Sequence, residues 1–395
     1  MNEKFPVLIV GAGPVGLCLA RALTLQGVPV QVFETLPELS TEARASTFHP
    51  LTLEMFEAWD LLEPVLAQGH KVARLQYWER ESRQLVADFD YQHIAGDTPY
   101  PFRLQLPQSQ VTRIIKPMIE NHPQGNVWMR HTLIDFTDQG DSVEAIFDTP
   151  DGQKTYQGAY LCGADGASST VRKVLGLSFD GSTYPDRFLL LPCEIDLGPV
   201  FPKLGPVNYI FDPNEWVIIL HLPDVVRIVF RIRPDEDERD AMDDRAIQKR
   251  LEGLVGDLPY TLMNKSIYSV HQRVAETFRV GRVMLLGDAA HINNPAGGMG
   301  MNSGIHDAHN LANKLTRIIC QQEGEHLLDL YASQRRNWAV DKVQHHTHET
   351  YATMVVQDEV ARAQRNAQYR SWAQDSVKAR EYLLRASMLD DRIRH

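Results

Sequence analysis

Residues 7–34 read VLIVGAGPVGLCLARALTLQGVPVQVFE: four apolar residues, glycines at positions 11, 13 and 16, a helical pattern, and a second apolar run ending in Glu34. A short apolar run stopped by glycine reads as a buried strand. From Pro14 to Gln26 the pattern puts Leu17, Ala20, Ala22 and Leu23 at packing positions, and Gly27 suits a helix C-terminal cap. VPVQVFE from Val28 reads as a buried parallel strand. This is a βαβ unit with GxGxxG at its first turn, the dinucleotide fingerprint in its proper setting. Gly11 makes the tight turn, Gly13 lets backbone N–H groups approach a pyrophosphate, and Gly16 lets helix and strand pack closely. Pro14 opens the helix, whose N-terminus offers free N–H donors and a partial positive charge. Glu34, at the end of the second strand, can accept hydrogen bonds from both ribose hydroxyls of an adenosine and would repel a 2′-phosphate. The site takes FAD or NAD, and the motif does not say which.

The rest of the chain bounds the answer. At 395 residues, two or three domains are expected. A net charge of −11, with no basic stripe, argues against a nucleic-acid partner. The cysteines at 18, 162, 193 and 320 are scattered, so reduced thiols in a cytoplasmic protein are expected. No apolar run approaches the ~20 residues of a membrane span, so no membrane partner is expected. Pieces at 76–106 alternate in strand fashion, and Gln108–Glu120 is helical with Val111, Ile114, Ile115 and Met118 on one face. Residues 187–234 read as an antiparallel sheet, DEDERDAMDD from Asp235 as a solvated helix start, and the chain beyond Leu315 as helical.

Two later stretches separate FAD from NAD. GADGASSTVRKVLG sets Asp165 and Gly166 at the end of a strand, with Arg172 on the following helix. RVMLLGDAAH ends a further strand at Gly287 and Asp288, and the glycine-dense stretch from Gly287 to Gly304 continues it. With GAGPVG, these stretches resemble the class A flavoprotein monooxygenases, which have the p-hydroxybenzoate hydroxylase fold. The resemblance runs across residues 7–315, with three motifs in the family's order.

That resemblance implies an α/β fold: a Rossmann-type FAD-binding domain (1–75, 100–182 and 275–320), a β-sheet substrate domain (76–99 and 183–274) and a C-terminal helical region (321–395). It implies FAD as cofactor, NADH or NADPH and O2 as co-substrates, and hydroxylation of a small aromatic through a flavin C4a-hydroperoxide. The aromatic would be phenolic or a hydroxylated N-heteroaromatic, with or without a carboxylate, and the enzyme a monomer or homodimer. Asp288 would contact a flavin-side ribose hydroxyl, Arg44 would lie along the pyrophosphate, and Gln108 would touch the ribityl region. Pro295, Gly298 and Gly300 would admit the flat ring, and a helix starting near Met301–Asn302 would point its positive end at the ring. The substrate would lie against the 187–234 sheet, where strand alternation offers Tyr209, Phe211, His221 and Arg227 as inward candidates.

His291 admits a chemical or a structural reading, and His345, His346, His348 and Glu349 pose a metal question that a solvated helix face answers more simply. No metal is required. The tryptophans never form the WxW of a flavin-dependent halogenase. A related FAD-dependent reductase or dehydrogenase shares these motifs and stays as the alternative, followed by a flavin-binding regulatory protein.

Overall fold

The structure is a computed structural model describing residues 5–41 and 45–394. Val7–Val10 is buried on both faces and lies inside a six-stranded sheet, as a continuous apolar strand requires. The strand order is Arg279–Val280, Val283–Leu285, Tyr160–Gly163, Val7–Val10, Val30–Glu34, Gly125–Met129. All neighbours run parallel except the first pair, a hairpin. The Pro14–Leu25 helix starts on its proline and ends before Gly27 at φ +75°, the left-handed conformation of a glycine cap. It packs on the Gly300–Gln321 helix, with Val15 against Gly287 and Gly304.

A nine-stranded sheet forms the second layer. Its core pairs are antiparallel: Ser266–Ala275 on Phe179–Ile195, then Val226–Ile232, Val217–His221 and Val207–Phe211. Of the strands at 76–106, Arg74–Glu79 and Gln84–Asp90 join this same sheet, whereas Arg103–Gln105 lies in a small sheet with Thr47–Phe48 and His70–Val72. Arg74–Glu79 pairs parallel to Val207–Phe211 and antiparallel to Gln84–Asp90, while the strands within 187–234 pair antiparallel, as expected. Alternation divides the side chains between two cores. Ile210, Val217, Ile219, Ile228 and Phe230 pack outward under the Asp244–Val255 helix, while Val207, Tyr209, Phe211, Ile218 and Val229 belong to the main core. In DEDERDAMDD, Asp237 and Asp243 cap two helix starts, as a solvated helix-start reading predicts.

The chain after Gly300 is helical, and it closes the main core instead of standing apart. Tyr369 and Tyr382, on the helices Glu359–Gln374 and Ser376–Ala386, meet Tyr77 and Phe89 of the large sheet. Tyr77 also stacks on Tyr209, with ring centres 5.3 Å apart. Among the described residues, no helix is long and apolar enough to cross a membrane.

Candidate functional site

The glycine turn has the geometry its sequence implies. Gly11 sits at φ +106°, and a Cβ there would lie 2.4 Å from the Ala164 carbonyl oxygen. A Cβ on Gly16 would lie 2.0 Å from the Gly11 carbonyl oxygen. Gly13 is different, because nothing lies within 4 Å of its missing side chain. Its glycine answers to no protein atom and leaves the turn open toward the space in front of the helix. No side chain caps that helix, so its first N–H groups can serve an anion. Glu34 closes the turn, accepting from the backbone N–H of Ala12 at 2.9 Å and of Leu36 at 3.0 Å.

Asp165 accepts from the Thr170 and Val171 backbone N–H groups (2.7 and 3.1 Å) at the start of the Thr170–Val174 helix, beside the Ser169 N-cap. Burial nonetheless pushes its carboxyl above the usual value. Gly166, at φ +77°, is as open as Gly13. Arg172 ties this loop to the later one, donating to Ala289 and Ala167 carbonyls at 2.8 Å each while lying over the Phe179 ring. Asp288 is exposed, whereas Gly287 beside it is buried and donates its N–H to Asp307 at 3.0 Å.

The glycine-dense loop is held from several sides. Gly298 N–H bonds the Pro295 carbonyl at 2.9 Å, and Gly297 takes φ +90°, as position i+2 of a type II turn demands. Gly297 donates its N–H to the Tyr209 hydroxyl at 2.9 Å. His49 Nε2 lies 3.0 and 3.1 Å from the carbonyl oxygens of Gly297 and Gly298. Both partners accept only, so Nε2 carries the proton. Burial, with the Arg103 charge nearby, holds the pKa of His49 well below its usual value. The long helix begins at Gly300, one residue before the expected start, and no side chain caps it. Met301 is half-buried at its first turn, and the Asn302 side chain turns inward to Thr47, His49, Thr52 and Gly298.

Strand register separates the pocket candidates. Leu220 pairs with Arg227, and His221 pairs with Val226 on the opposite face. Tyr209, Phe211 and Arg227 therefore share a face, and the expectation that His221 joins them is corrected: adjacent residues of a strand point to opposite sides. Burial and the neighbouring His70 lower the pKa of His221. Arg227 is buried, with Nη1 3.4 Å from the Ser46 hydroxyl; burial lowers its pKa and Tyr268 opposes that shift. Gln108, half-buried, anchors the same segment by donating its N–H to the Ala45 carbonyl at 3.0 Å. Arg44 lies outside the described residues.

Nε2 of His291 is 2.8 Å from Asp307, and its ring lies flat against Phe278; these are structural contacts. The histidines at 345–348 diverge: His345 meets Glu349, His348 meets the Tyr184 hydroxyl, and half-buried His346 has its pKa pushed down to about 4, chiefly by desolvation. Among the described residues, no three His, Cys, Asp or Glu side chains are placed to hold a metal ion. Sequence reasoning did not find His49, Thr52, His306, Asp307, Arg335 or Asp391. Polar residues at helix positions that must be buried were the available signal, as in GIHDAHN from Gly304.

The arrangement fits FAD. Open glycines lie where a diphosphate needs backbone contact, Glu34 ends its strand beside them, Asp288 is exposed on the second loop, and an uncapped helix start follows a backbone-rich loop. Residues 4–346 match the family described as FAD binding domain. The chain is 30% identical over 393 residues to the para-nitrophenol 4-monooxygenase of Pseudomonas sp. (strain WBC-3), covering 98% of this chain and 96% of that one. It is 34% identical to the 3-(3-hydroxy-phenyl)propionate/3-hydroxycinnamic acid hydroxylase of Mycolicibacterium gilvum (strain PYR-GCK), covering 84% of this chain and 57% of that longer protein. The crystal structure of p-nitrophenol 4-monooxygenase from Pseudomonas putida DLL-E4 superposes with a TM-score of 0.93 at 30% identity, covering 99% of this chain and all of that one. The chain belongs to the FAD binding domain family and is one of its FAD-dependent aromatic monooxygenases.

Proposed function

We propose that this monooxygenase hydroxylates a small phenol substituted para to its hydroxyl, with 4-nitrophenol the first compound to try, using NADH or NADPH and O2. The observation that carries this reading is the wall beside the Pro295–Gly300 loop: the Tyr209 ring, whose hydroxyl accepts the Gly297 N–H, with the buried Arg227 guanidinium on the same face of the sheet. The near full-length likeness to para-nitrophenol 4-monooxygenases supports it. Bound FAD supplies the redox chemistry, accepting hydride from the nicotinamide nucleotide and activating O2.

The protein's own residues do the rest. Gly11, Gly13, Pro14 and Gly16 would hold the diphosphate, with Glu34 on the adenosine side. Gly166, Gly287 and Asp288 would serve the sugar-alcohol side, and Pro295 to Asn302 the ring. Arg227, shielded from water, favours an anion beside it, so a phenol brought there loses its proton more readily and its ring gains electron density. The Tyr77, Phe211, Tyr369 and Tyr382 rings packed behind Tyr209 keep water out. In this reading 1–75, 100–182 and 275–320 bind FAD, 76–99 and 183–274 form the substrate wall, and 321–395 closes it. A cytoplasmic monomer or homodimer suits the free thiols, with Cys18, Cys162 and Cys193 buried and Cys320 exposed.

The test is a panel of 4-nitrophenol, hydroxyphenyl carboxylates and hydroxypyridines, followed by nucleotide oxidation and oxygenated product. 4-Nitrophenol should accelerate oxidation several-fold over the substrate-free rate and yield an oxygenated product, with nitrite released when the carbon attacked is the one that bears the nitro group; stimulation by no member of the panel would sink the reading. For the ribose contact, Asp288→Ala should weaken FAD retention about tenfold. Asp235→Ala, on an exposed turn, should leave retention unchanged. Equal flavin content in the two variants would count against that contact.

A further inference from the structure

Beneath the flavin loop runs a buried polar chain that the proposed chemistry does not use. Arg335 donates to Asp307 at 2.6 Å and to both oxygens of Asp391 at 3.0 and 2.9 Å. Asp391 lies 2.8 Å from His306 Nδ1, and His306 Nε2 lies 3.1 Å from the Thr52 hydroxyl. Thr52 donates to Asn302 Oδ1 at 2.7 Å, and that oxygen also accepts the His49 backbone N–H. The Asn302 amide nitrogen donates to the carbonyls of Thr47 and Gly298 at 2.8 Å each. Asp307, Arg335, Asp391 and His306 are fully buried, and so nearly is His291, which meets Asp307 at 2.8 Å.

The bonding directions fix the charge state. Asn302 is oriented by its two carbonyl acceptors and by the His49 N–H, so its oxygen must face Thr52 and take the hydroxyl proton. Toward His306, Thr52 can then only accept. Asp391, held by Arg335, also accepts. Both ring nitrogens of His306 therefore donate, and His306 is an imidazolium. The guanidinium and the imidazolium set positive charge against both carboxylates, the pairing that buried charges need, and His291 adds a further contact to Asp307.

We propose that His306 and Asp391 are positioning residues for the flavin loop, acting through Thr52 on Asn302 to set the backbone of Gly297–Gly300. The turn Leu389–Arg394 thereby becomes a latch on the flavin site from the far end of the chain. Met388 adds an apolar clasp, packing with Met299 of the loop, Trp338 and Val343. The proposal rests on Gly297–Asn302 being the flavin loop.

The discriminating variant is Thr52→Val, which keeps shape and leaves the Arg335 contacts to Asp307 and Asp391 in place, while removing the Asn302 donor and the acceptor of His306 Nε2–H. Deuterium exchange of the 295–303 segment in the FAD-free protein should quicken about tenfold, the effect of one lost hydrogen bond. In the FAD-loaded protein, the visible spectrum of the flavin should shift, and more of the nucleotide oxidised with 4-nitrophenol should go to hydrogen peroxide instead of product. Asp391→Asn should give the same signs, and its effect on exchange should vanish in the Thr52→Val background, because the chain runs through Thr52. Unchanged exchange in Thr52→Val, or additive effects in the double variant, would overturn the latch. Should Asp391→Asn fail to fold, Thr52→Val decides alone. Failure of the wild type to bind FAD or to hydroxylate would overturn the flavin reading, while exchange still reports on the latch.

Discussion

Gly13→Ala will purify folded, with the melting temperature of the FAD-free wild type, yet nearly colourless. Gly16→Ala, three residues away, will barely fold. Gly13 has an extended conformation, φ −70° and ψ 177°, that alanine adopts without strain, and its added Cβ would meet no protein atom within 4 Å. Only a ligand can compete for that space. A methyl pressed between the turn and a diphosphate costs about 3 kcal/mol, an affinity loss of about 100-fold. The Gly16 Cβ would instead lie 2.0 Å from the Gly11 carbonyl oxygen and 3.3 Å from Ala164 Cβ. Strand and helix must part there, so stability falls whether or not FAD is present. Thermal melting of both variants without flavin, with flavin titration of Gly13→Ala, separates the two effects. Full flavin occupancy in Gly13→Ala at wild-type concentration would remove the diphosphate from this turn.

The same glycines show how far the sequence could be read. The GxGxxG turn, the Asp165 and Asp288 loops and the Pro295–Gly300 loop are local: each couples a backbone conformation to a short run of residue types, so each was legible one segment at a time. The Gln108–Glu120 helix was legible for the same reason, through a single periodic face. The pocket was not. Tyr209 and Arg227 share a face with Phe211, but His221 does not, because the Leu220–Arg227 pairing puts its neighbour inward; alternation within one strand says nothing of its register against the next. The strands Gly125–Met129, Thr132–Asp138 and Gly152–Gly158 escaped notice because they are short or half-exposed and carry polar residues. The ion cluster was illegible for a deeper reason. Its members come from positions 307, 335 and 391, with 291 and 306 attached, and no spacing connects them before the helices pack. Monooxygenase relatives matched over nearly the whole chain decide against the reductase and regulatory alternatives that the flavin motifs alone left open.

That cluster carries the largest stability effect we expect. Arg335→Met removes the guanidinium that joins Asp307 and Asp391, all three side chains being fully buried. Breaking such a group by taking away one partner costs roughly 3–5 kcal/mol, because charge is left in the interior without compensation. At neutral pH the melting temperature should drop by roughly 5 °C. The pH dependence distinguishes lost charge pairing from lost packing. In the wild type, burial alone would raise the Asp307 carboxyl, but His291 and Arg335 outweigh it and hold the carboxyl below its usual value. A lowered folded pKa contributes stability above the unfolded value of about 3.9, lost as pH falls through the folded one. Without Arg335, only His291 still opposes burial at Asp307, so the carboxyl moves up and the folded variant binds a proton more readily than the folded wild type does. Acid then weakens the variant less than the wild type, so the gap between their melting temperatures should narrow from pH 7 to pH 4. A gap that stays constant across that range would mean that Arg335 acts through its volume, and that the carboxylates it joins were never held apart from their unfolded titration.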